Sequence, residues 1–293
     1  MAGPYVHCLV SRAALGNIYS DNLFIRYRSI TNPDENAQFF PYICLGSVSP
    51  DYPYPALGIE EINSRKDGNG WTWGDKFHKQ NTGDFIDIGI QKLRDDVAQG
   101  RSATPAFLKK AAWLMGYYSH VITDLVIHAV VYDLVGGCYE THKRSHLHCE
   151  VTEDSLLFYD VYKNPPQELV DVHFLRILQR CQEVSATLDP FQASTYVLDK
   201  DIEGLWHSIL NQNYSDFYKI EPPEIDAWHR VYGFLMKVGT SIAARVVEPG
   251  MAYRSTSDIS ANEPADKAGY YSAMTFSRIK LPAGLRTPCR CPR

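Results

Sequence analysis

The chain has 293 residues, of which 45% are hydrophobic, and its formal net charge is −5. That length is sufficient for one large core or for two smaller domains. The acidic balance, without a dense run of lysine and arginine, gives no general attraction to nucleic acid or to an anionic membrane. We therefore do not favour a nucleic acid as the partner.

The sequence contains no stretch of about 18 apolar residues free of charge, so we expect no membrane span. The first residues, MAGPYVHCLVSRAALG, lack the basic segment and long apolar core of a secretory signal peptide. The seven cysteines are odd in number and scattered along the chain. These features favour a cytoplasmic protein with reduced thiols, and they leave the oligomeric state unknown.

Short helices are predicted over 5–16 and 34–44, followed by a long irregular loop over 46–80 that is rich in Gly, Pro, Asp and Tyr. Long loops in compact domains are often functional. Within this loop, Trp71 and Trp73 fit two interpretations equally well. They could form the wall of a ligand cleft, or they could cap the core.

Helical periodicity returns over 82–100, where Thr82 is a candidate N-cap and Gly100 suits the end of the helix. The next helix is predicted over 104–137, because it opens with Thr-Pro and ends at a Gly-Gly pair. Roughly 30 mostly apolar residues without an internal proline are typical of a central, buried helix.

Further helices are predicted over 140–163, 166–187 and 224–247, and alternating strand patterns are weak throughout. Strands that alternate with helices are missing, which argues against a doubly wound sheet. The prediction is an all-α protein with a single multi-helix, metal-binding catalytic domain over 1–250. An irregular C-terminal segment, 251–293, is expected to pack on it.

Three polar residues interrupt the apolar stretch GYYSHVITDLVIHAVV at steps of four: His120, Asp124 and His128. A helix turns about 100° and rises about 1.5 Å per residue, so these side chains form one stripe roughly 12 Å long. One metal ion cannot reach all three, whereas two ions about 3.5–4 Å apart could share Asp124. The alternative is a stripe of core polar groups that satisfy one another.

A second row with the same step follows in HKRSHLHCE, where His142, His146 and Glu150 share one face if the segment is helical. The spacing between His146 and Glu150 allows both side chains to reach one metal ion. A solvated charged face is the alternative interpretation. It fits His142 better than it fits the other two residues.

Three more candidates stand outside these rows. Asp51 lies in the Gly- and Pro-rich stretch GSVSPDYP, and His78 in GDKFHKQ lies just before a helix. His7 lies on the first apolar helix, and a lone histidine there is more often a core residue than a ligand. The remaining histidines have no matching carboxylate row and are interpreted as packing or surface residues: His173, His207 and His229.

The order of these motifs resembles the zinc-dependent phospholipase C family. That family includes bacterial phospholipases C and the catalytic domain of glycosylphosphatidylinositol-specific phospholipase D, and the S1/P1 nucleases are its distant relatives. The motifs that carry the resemblance are, in order, His7, GSVSPD, His78, SHVITDLVIH and HLHCE. The resemblance implies an all-helical fold around a centre of two or three zinc ions.

The resemblance also implies which residues bind the metal. The residues that it assigns as ligands are, in chain order, His7, Asp51, His78, His120, Asp124, His128, His146 and Glu150. One zinc ion would be held by His120 and Asp124 together with His78 and Asp51. By the same resemblance, Asp51 is the candidate catalytic general base.

The other ions would lie further along the same helix. By resemblance, His128 would hold a second zinc ion with His146 and Glu150. His7 would help to hold a third ion, with Asp124 as the bridge. Iron is an alternative to zinc throughout, because nitrogen and oxygen ligands suit both metals.

The implied function is hydrolysis of phosphodiester bonds by a metal-bound hydroxide, with a small-molecule or lipid phosphoester as the substrate. A second hypothesis keeps the metal but assigns a soluble enzyme of small-molecule metabolism, which acts by Lewis acidity as a hydrolase, cyclase or lyase. A third is a non-catalytic binding module whose polar rows only hold the core together. A nuclease is the weaker variant of the first hypothesis, since it needs a positive groove.

Overall fold

The computed structural model describes residues 4–34, 37–53, 72–137 and 197–232, together with six residues between 139 and 149. These parts of the chain are mainly helical and form no β-sheet, which confirms the predicted all-α fold. The described residues among 139–149 are helical as well.

In chain order the helices are α1 (Pro4–Ser20), α2 (Arg28–Thr31), α3 (Phe40–Val48), α4 (Trp73–Lys79), α5 (Thr82–Ala98), α6 (Pro105–Val135), α7 (Lys200–Asn213), α8 (Ser215–Ile220) and α9 (residues 225–232). A short 3-10 segment, Asn22–Tyr27, precedes α2, and another, Ser49–Asp51, follows α3.

Helix α6 begins and ends where the sequence predicts. The side chain of Thr104 accepts a hydrogen bond from the backbone N–H of Phe107, and Pro105 occupies the first turn. At the other end, Gly136 has a φ of 77°, a left-handed conformation that glycine adopts without strain. One continuous helix of 31 residues therefore carries the whole polar stripe.

The predicted irregular loop over 46–80 is wrong at both ends. Helix α3 continues to Val48, and α4 occupies the last part of the predicted loop. A capping box starts α4: Thr72 Oγ1 accepts a bond from the Asp75 N–H, and the Asp75 carboxylate accepts one from the Thr72 N–H. Residues 54–71, including Trp71, lie outside the described residues.

The other helix boundaries differ less from the predicted ones. Helix α1 extends past the predicted end at residue 16, and α3 begins only at Phe40. The N-cap of α5 is Asn81, in a left-handed conformation, and not Thr82. Helices α7 and α8 were not predicted, and α9 matches the start of the helix predicted over 224–247. The predicted helix over 166–187 and the C-terminal segment lie outside the described residues.

Helices α3 and α6 cross at a distance that only glycine permits. A Cβ at Gly46 would lie 2.0 Å from the carbonyl oxygen of Trp113, and a Cβ at Gly116 would lie 1.9 Å from that of Ile43. Real Cβ atoms essentially never come within 3.0 Å of another heavy atom, so a larger residue would push the helices apart. The crossing places the backbone of Ser47 against α6, next to the polar stripe.

The core around α6 is aromatic. Helix α6 contacts α1, α2, α3, α5 and α7, and three aromatic side chains are almost completely buried here: Trp113 of α6 itself, Trp206 and Phe77. Trp73 is 5% exposed, and its ring packs against those of Phe77 and Phe217. Of the two interpretations of this tryptophan, the structure therefore favours a core residue.

Helix α6 is the one described helix that is long and apolar enough to cross a membrane, with a mean hydropathy of 1.3 in its most apolar window. A single helix of this kind is weak evidence, because the central helix of a water-soluble fold passes the same test. Its contacts with five other described helices fit a central position. Outside the polar stripe, α6 leaves four large apolar side chains exposed: Tyr118, Ile122, Leu125 and Val126.

Candidate metal centre

Side chains from four parts of the chain converge beside the middle of α6. They are His7 from α1, Asp51 from the turn after α3, His78 from α4, and His120 and Asp124 from α6. All of them are largely buried. The structure therefore brings together five of the eight residues that the resemblance assigns as metal ligands.

The tightest group joins α4 to α6. The Nε2 atoms of His78 and His120 are 3.2 Å apart. Oδ2 of Asp124 lies 3.6 Å from the His78 nitrogen and 3.3 Å from the His120 nitrogen. Asp51 Oδ1 lies 3.2 Å from the same His78 nitrogen. His78, His120 and Asp124 offer ligand atoms within 4.8 Å of one another, which is close enough to hold one ion.

Backbone carbonyls fix the protonation of two of these rings. The Nδ1 atom of His78 lies 2.8 Å from the Gly74 oxygen, and that of His120 lies 2.7 Å from the Ser47 oxygen. Because a carbonyl oxygen can only accept, each Nδ1 carries a proton and each neutral ring presents a lone pair at Nε2. A metal ion bound by both lone pairs would satisfy the two nitrogens, which face each other at 3.2 Å. The donor set therefore fits a metal ion, with the carbonyls supporting the ligands from behind.

The two oxygens of Asp124 face different histidines. Oδ2 faces His78 and His120, whereas Oδ1 lies 3.4 Å from His7 Nε2 and 3.7 Å from His128 Nε2. Neither oxygen has a hydrogen-bond donor within the described parts of the chain. A buried carboxylate without such donors is costly. Asp124 therefore has the position and the lone pairs to bridge two ions.

His7 is completely buried, and its ring stacks on that of His120 with centroids 3.9 Å apart. Neither of its ring nitrogens makes a hydrogen bond to any residue that the structure describes. Burial lowers the pKa of His7, and the neighbouring His120 lowers this pKa further, so the ring favours its neutral form. A neutral ring without hydrogen-bond partners suits a ligand better than a hydrogen-bonded core residue.

The carboxylates of the centre favour the ionised form. Burial raises the pKa of Asp51 and that of Asp124, but His120 and its neighbours outweigh burial, and both pKa values lie below their usual range. In return the two carboxylates raise the pKa of His120 although burial lowers it. The centre thus concentrates negative charge that a divalent cation would balance.

The three residues assigned to a second zinc ion, His128, His146 and Glu150, are only partly accounted for beside this centre. Burial lowers the pKa of His128 to about 4, although the charge of Asp124 opposes the shift. His146 is completely buried, but its Nε2 lies 3.1 Å from the Gly137 oxygen, and it belongs to neither convergent group of ligand atoms. Glu150 lies outside the described residues. An ion held by His128, His146 and Glu150 stays a prediction.

Sequence reasoning missed a buried contact at Tyr52, the residue that follows Asp51. The hydroxyl of Tyr52 lies 3.1 Å from Nδ1 of His229, and both side chains are completely buried. No spacing pattern reveals a contact between residues 177 positions apart. Of the other histidines interpreted as packing or surface residues, His207 bonds to the Tyr218 hydroxyl at 2.9 Å, and His173 lies outside the described residues.

Histidine and aspartate side chains that meet on packed helices define a class of all-helical metal-dependent proteins. The chain belongs to the zinc-dependent phospholipase C family, whose model matches residues 6–221 and so includes all eight predicted ligands. This match confirms the resemblance and supports a zinc-dependent, phosphodiesterase-like hydrolase. No curated relative and no similar solved structure was found.

Proposed function

We propose that this chain is a zinc-dependent phosphodiesterase of the phospholipase C type, acting on a small-molecule or lipid phosphoester. The position of Asp124 is the observation that carries the proposal, because its two oxygens face two different sets of histidine nitrogens. One carboxylate in this position supports a centre of two or three ions. Family membership supports zinc as the metal and phosphodiester hydrolysis as the reaction.

The proposed ligands divide between the two oxygens of Asp124. On the Oδ2 side, His78 and His120 would hold one ion, with Asp51 beside them. On the Oδ1 side, four residues would hold the others: His7, His128, His146 and Glu150. Imidazole and carboxylate donors are the ligands that zinc uses in catalytic sites, and they also suit iron.

When bound, zinc lowers the pKa of a coordinated water toward about 7 and neutralises charge on phosphate oxygens. In the proposed reaction, Asp51 accepts a proton from the water that attacks phosphorus, or orients that water. The pKa of Asp51 lies below its usual range, so the carboxylate is ionised at neutral pH, which suits the orienting role better than that of a strong base. His78 Nε2 lies 3.2 Å from this carboxylate, which places Asp51 beside the group formed by His78, His120 and Asp124.

The proposal is tested by measuring bound metal and the turnover of a chromogenic phosphodiester, p-nitrophenyl phosphorylcholine. The wild-type protein should bind zinc and hydrolyse the ester. His120→Gln should lose both properties, because His120 belongs to both convergent groups. His207→Gln is the matched control, since His207 bonds to Tyr218 and belongs to neither group, and it should keep both properties.

The outcomes separate the hypotheses. Zinc-loaded protein that hydrolyses neither this ester nor a panel of phospholipids would contradict the proposed reaction and favour a Lewis-acid enzyme of small-molecule metabolism. Protein that binds neither zinc nor iron would contradict the metal centre. In that case a His120→Gln variant that changes only stability would favour the binding module.

A further inference from the structure

The carboxylate of Asp51 depends on its backbone for its direction. Its Oδ1 atom lies 3.2 Å from His78 Nε2, but the same nitrogen also faces His120 Nε2 at 3.2 Å, so it is not committed to Asp51 alone. No other hydrogen bond reaches Oδ1 from the described residues. The short 3-10 turn Ser49–Asp51 sets the position from which this side chain extends toward the centre.

Ser49, the first residue of this turn, is held by two hydrogen bonds. The indole N–H of Trp113 donates to Ser49 Oγ at 2.9 Å, and the Ser49 hydroxyl donates to the Leu45 carbonyl oxygen at 2.7 Å. Both hydrogen bonds are buried. They attach the start of the turn to α6 and to α3, the two helices that cross at the glycines.

The end of the turn is held by Tyr52, the residue after Asp51. Its hydroxyl lies 3.1 Å from Nδ1 of His229, and its ring stacks on that of Tyr232 with centroids 4.6 Å apart. His229 and Tyr232 both belong to α9. Tyr52 and His229 are completely buried, so water does not compete for the bond between them.

His229 is neutral in this environment. Burial lowers its pKa to about 4, although the charge of Asp226 opposes the shift. A neutral ring can share one hydrogen bond with the Tyr52 hydroxyl, as acceptor or as donor. If the Tyr52 hydroxyl were removed, the buried Nδ1 of His229 would lose this bond, and α9 would no longer hold the residue after Asp51 through it.

We infer that His229 is a positioning residue for Asp51 and acts through the hydroxyl of Tyr52. The inference rests on the proposed function in one respect, which is that the centre beside Asp51 binds zinc. His229 lies outside residues 6–221, the stretch that the family model matches, so family membership does not assign this role.

The test compares four variants by zinc affinity, measured with a competing chelator, and by the visible spectrum of the Co²⁺-substituted protein, which reports ligand geometry. Tyr52→Phe and His229→Leu each remove one side of the bond, and both should weaken zinc binding by about tenfold and shift the cobalt bands. The double variant should bind zinc no more weakly than the weaker single variant. His229→Asn, whose amide can donate or accept near the position of Nδ1, should return affinity to within about threefold of wild type.

Ile225→Ala is the matched control. Ile225 is 1% exposed and belongs to the same helix, so the variant loosens α9 without removing the bond. It should lower thermal stability and leave the cobalt spectrum unchanged. Wild-type affinity and spectrum in Tyr52→Phe would overturn the inference, as would an equal spectral change in Ile225→Ala. If His229→Leu fails to fold, Tyr52→Phe and His229→Asn decide the matter. A wild-type protein that binds no zinc would instead refute the proposed function, and this inference with it.

Discussion

Two buried histidines show how strongly the surroundings decide what an imidazole can do. His120 and His229 are both almost completely buried. The charges of Asp124 and Asp51 raise the pKa of His120 against the effect of burial, whereas burial lowers the pKa of His229 to about 4. Burial alone therefore produces a neutral packing residue. Burial together with converging carboxylates produces a centre that can bind a cation.

The largest effect is expected where the region around His120 is assembled. In Gly116→Ala, the new Cβ would lie 1.9 Å from the Ile43 carbonyl oxygen, so α3 and α6 must separate. The free energy of unfolding should fall by at least about 3 kcal/mol, measured by urea denaturation, because backbone cannot yield as a side chain does. Zinc binding should weaken as well, since the Ser47 carbonyl no longer holds His120.

Gly204→Ala is the control for that prediction. A Cβ at Gly204 meets nothing within 4 Å, and the residue lies inside helix α7. Alanine there should raise the free energy of unfolding by roughly 0.5–1 kcal/mol. Equal stability of Gly116→Ala and wild type would show that the close crossing is not present in solution.

Removal of one carboxylate should make the region around His120 resemble the one around His229. Asp124→Asn should lower zinc affinity more than about 100-fold, because Asp124 faces both sets of histidines and changes to residues behind a ligand already cost 10–100-fold. Asp133→Asn changes an exposed carboxylate on the same helix and should bind zinc as wild type does. Similar zinc affinities in the two variants, measured by chelator competition, would remove Asp124 from the centre.

The region around His229 should show its own pH dependence in the zinc-free protein. The folded-state pKa of about 4 lies below the usual value of about 6.5, so protonation favours the unfolded chain. The stability that neutral His229 contributes is fully present above its pKa in the unfolded chain. It is lost as the pH falls toward its pKa in the folded protein. His229→Asn cannot take up this proton. From pH 7 to pH 4.5, the variant should lose about 2 kcal/mol less unfolding free energy than wild type.

Urea denaturation at the two pH values measures this difference. Asp226 and Arg230 are the charged groups that act on His229, and both are unchanged in the variant. The comparison therefore isolates the ring itself. Parallel losses of stability in wild type and His229→Asn would mean that His229 already carries a proton in the folded protein.

The smallest effect is expected at an exposed apolar position of the helix that carries His120. Leu125 is 70% exposed, so Leu125→Ser should change the unfolding free energy by less than about 0.5 kcal/mol. Zinc affinity should be unchanged. A loss above about 1.5 kcal/mol would show that another part of the chain, or a second copy, covers this position in solution.

The sequence was most informative where structure is local. Helix α6 was predicted to within two residues at each end, because Thr104 and Gly136 signal its ends through neighbouring residues only. The spacing of His120, Asp124 and His128 required nothing beyond helix geometry. The start of α4 was missed although Thr72 and Asp75 form a capping box, because the surrounding glycines and prolines favoured a loop.

Contacts between distant parts of the chain could not be predicted from residue patterns. The pairing of Asp51 with His78 came from the resemblance to a family, and the glycine crossing of α3 with α6 was not anticipated at all. The bond between Tyr52 and His229 joins residues 177 positions apart and has no local signal. Such contacts depend on how helices pack, which the spacing along one helix does not specify.

The position of Asp124 is the central claim, and an anomalous-scattering map at the zinc edge tests it most directly. In crystals grown with zinc, we expect one ion within about 2.2 Å of Nε2 of His120 and of Oδ2 of Asp124. A second ion should lie at the same distance from Oδ1. Zinc peaks that leave both oxygens of Asp124 without a metal contact would contradict the account.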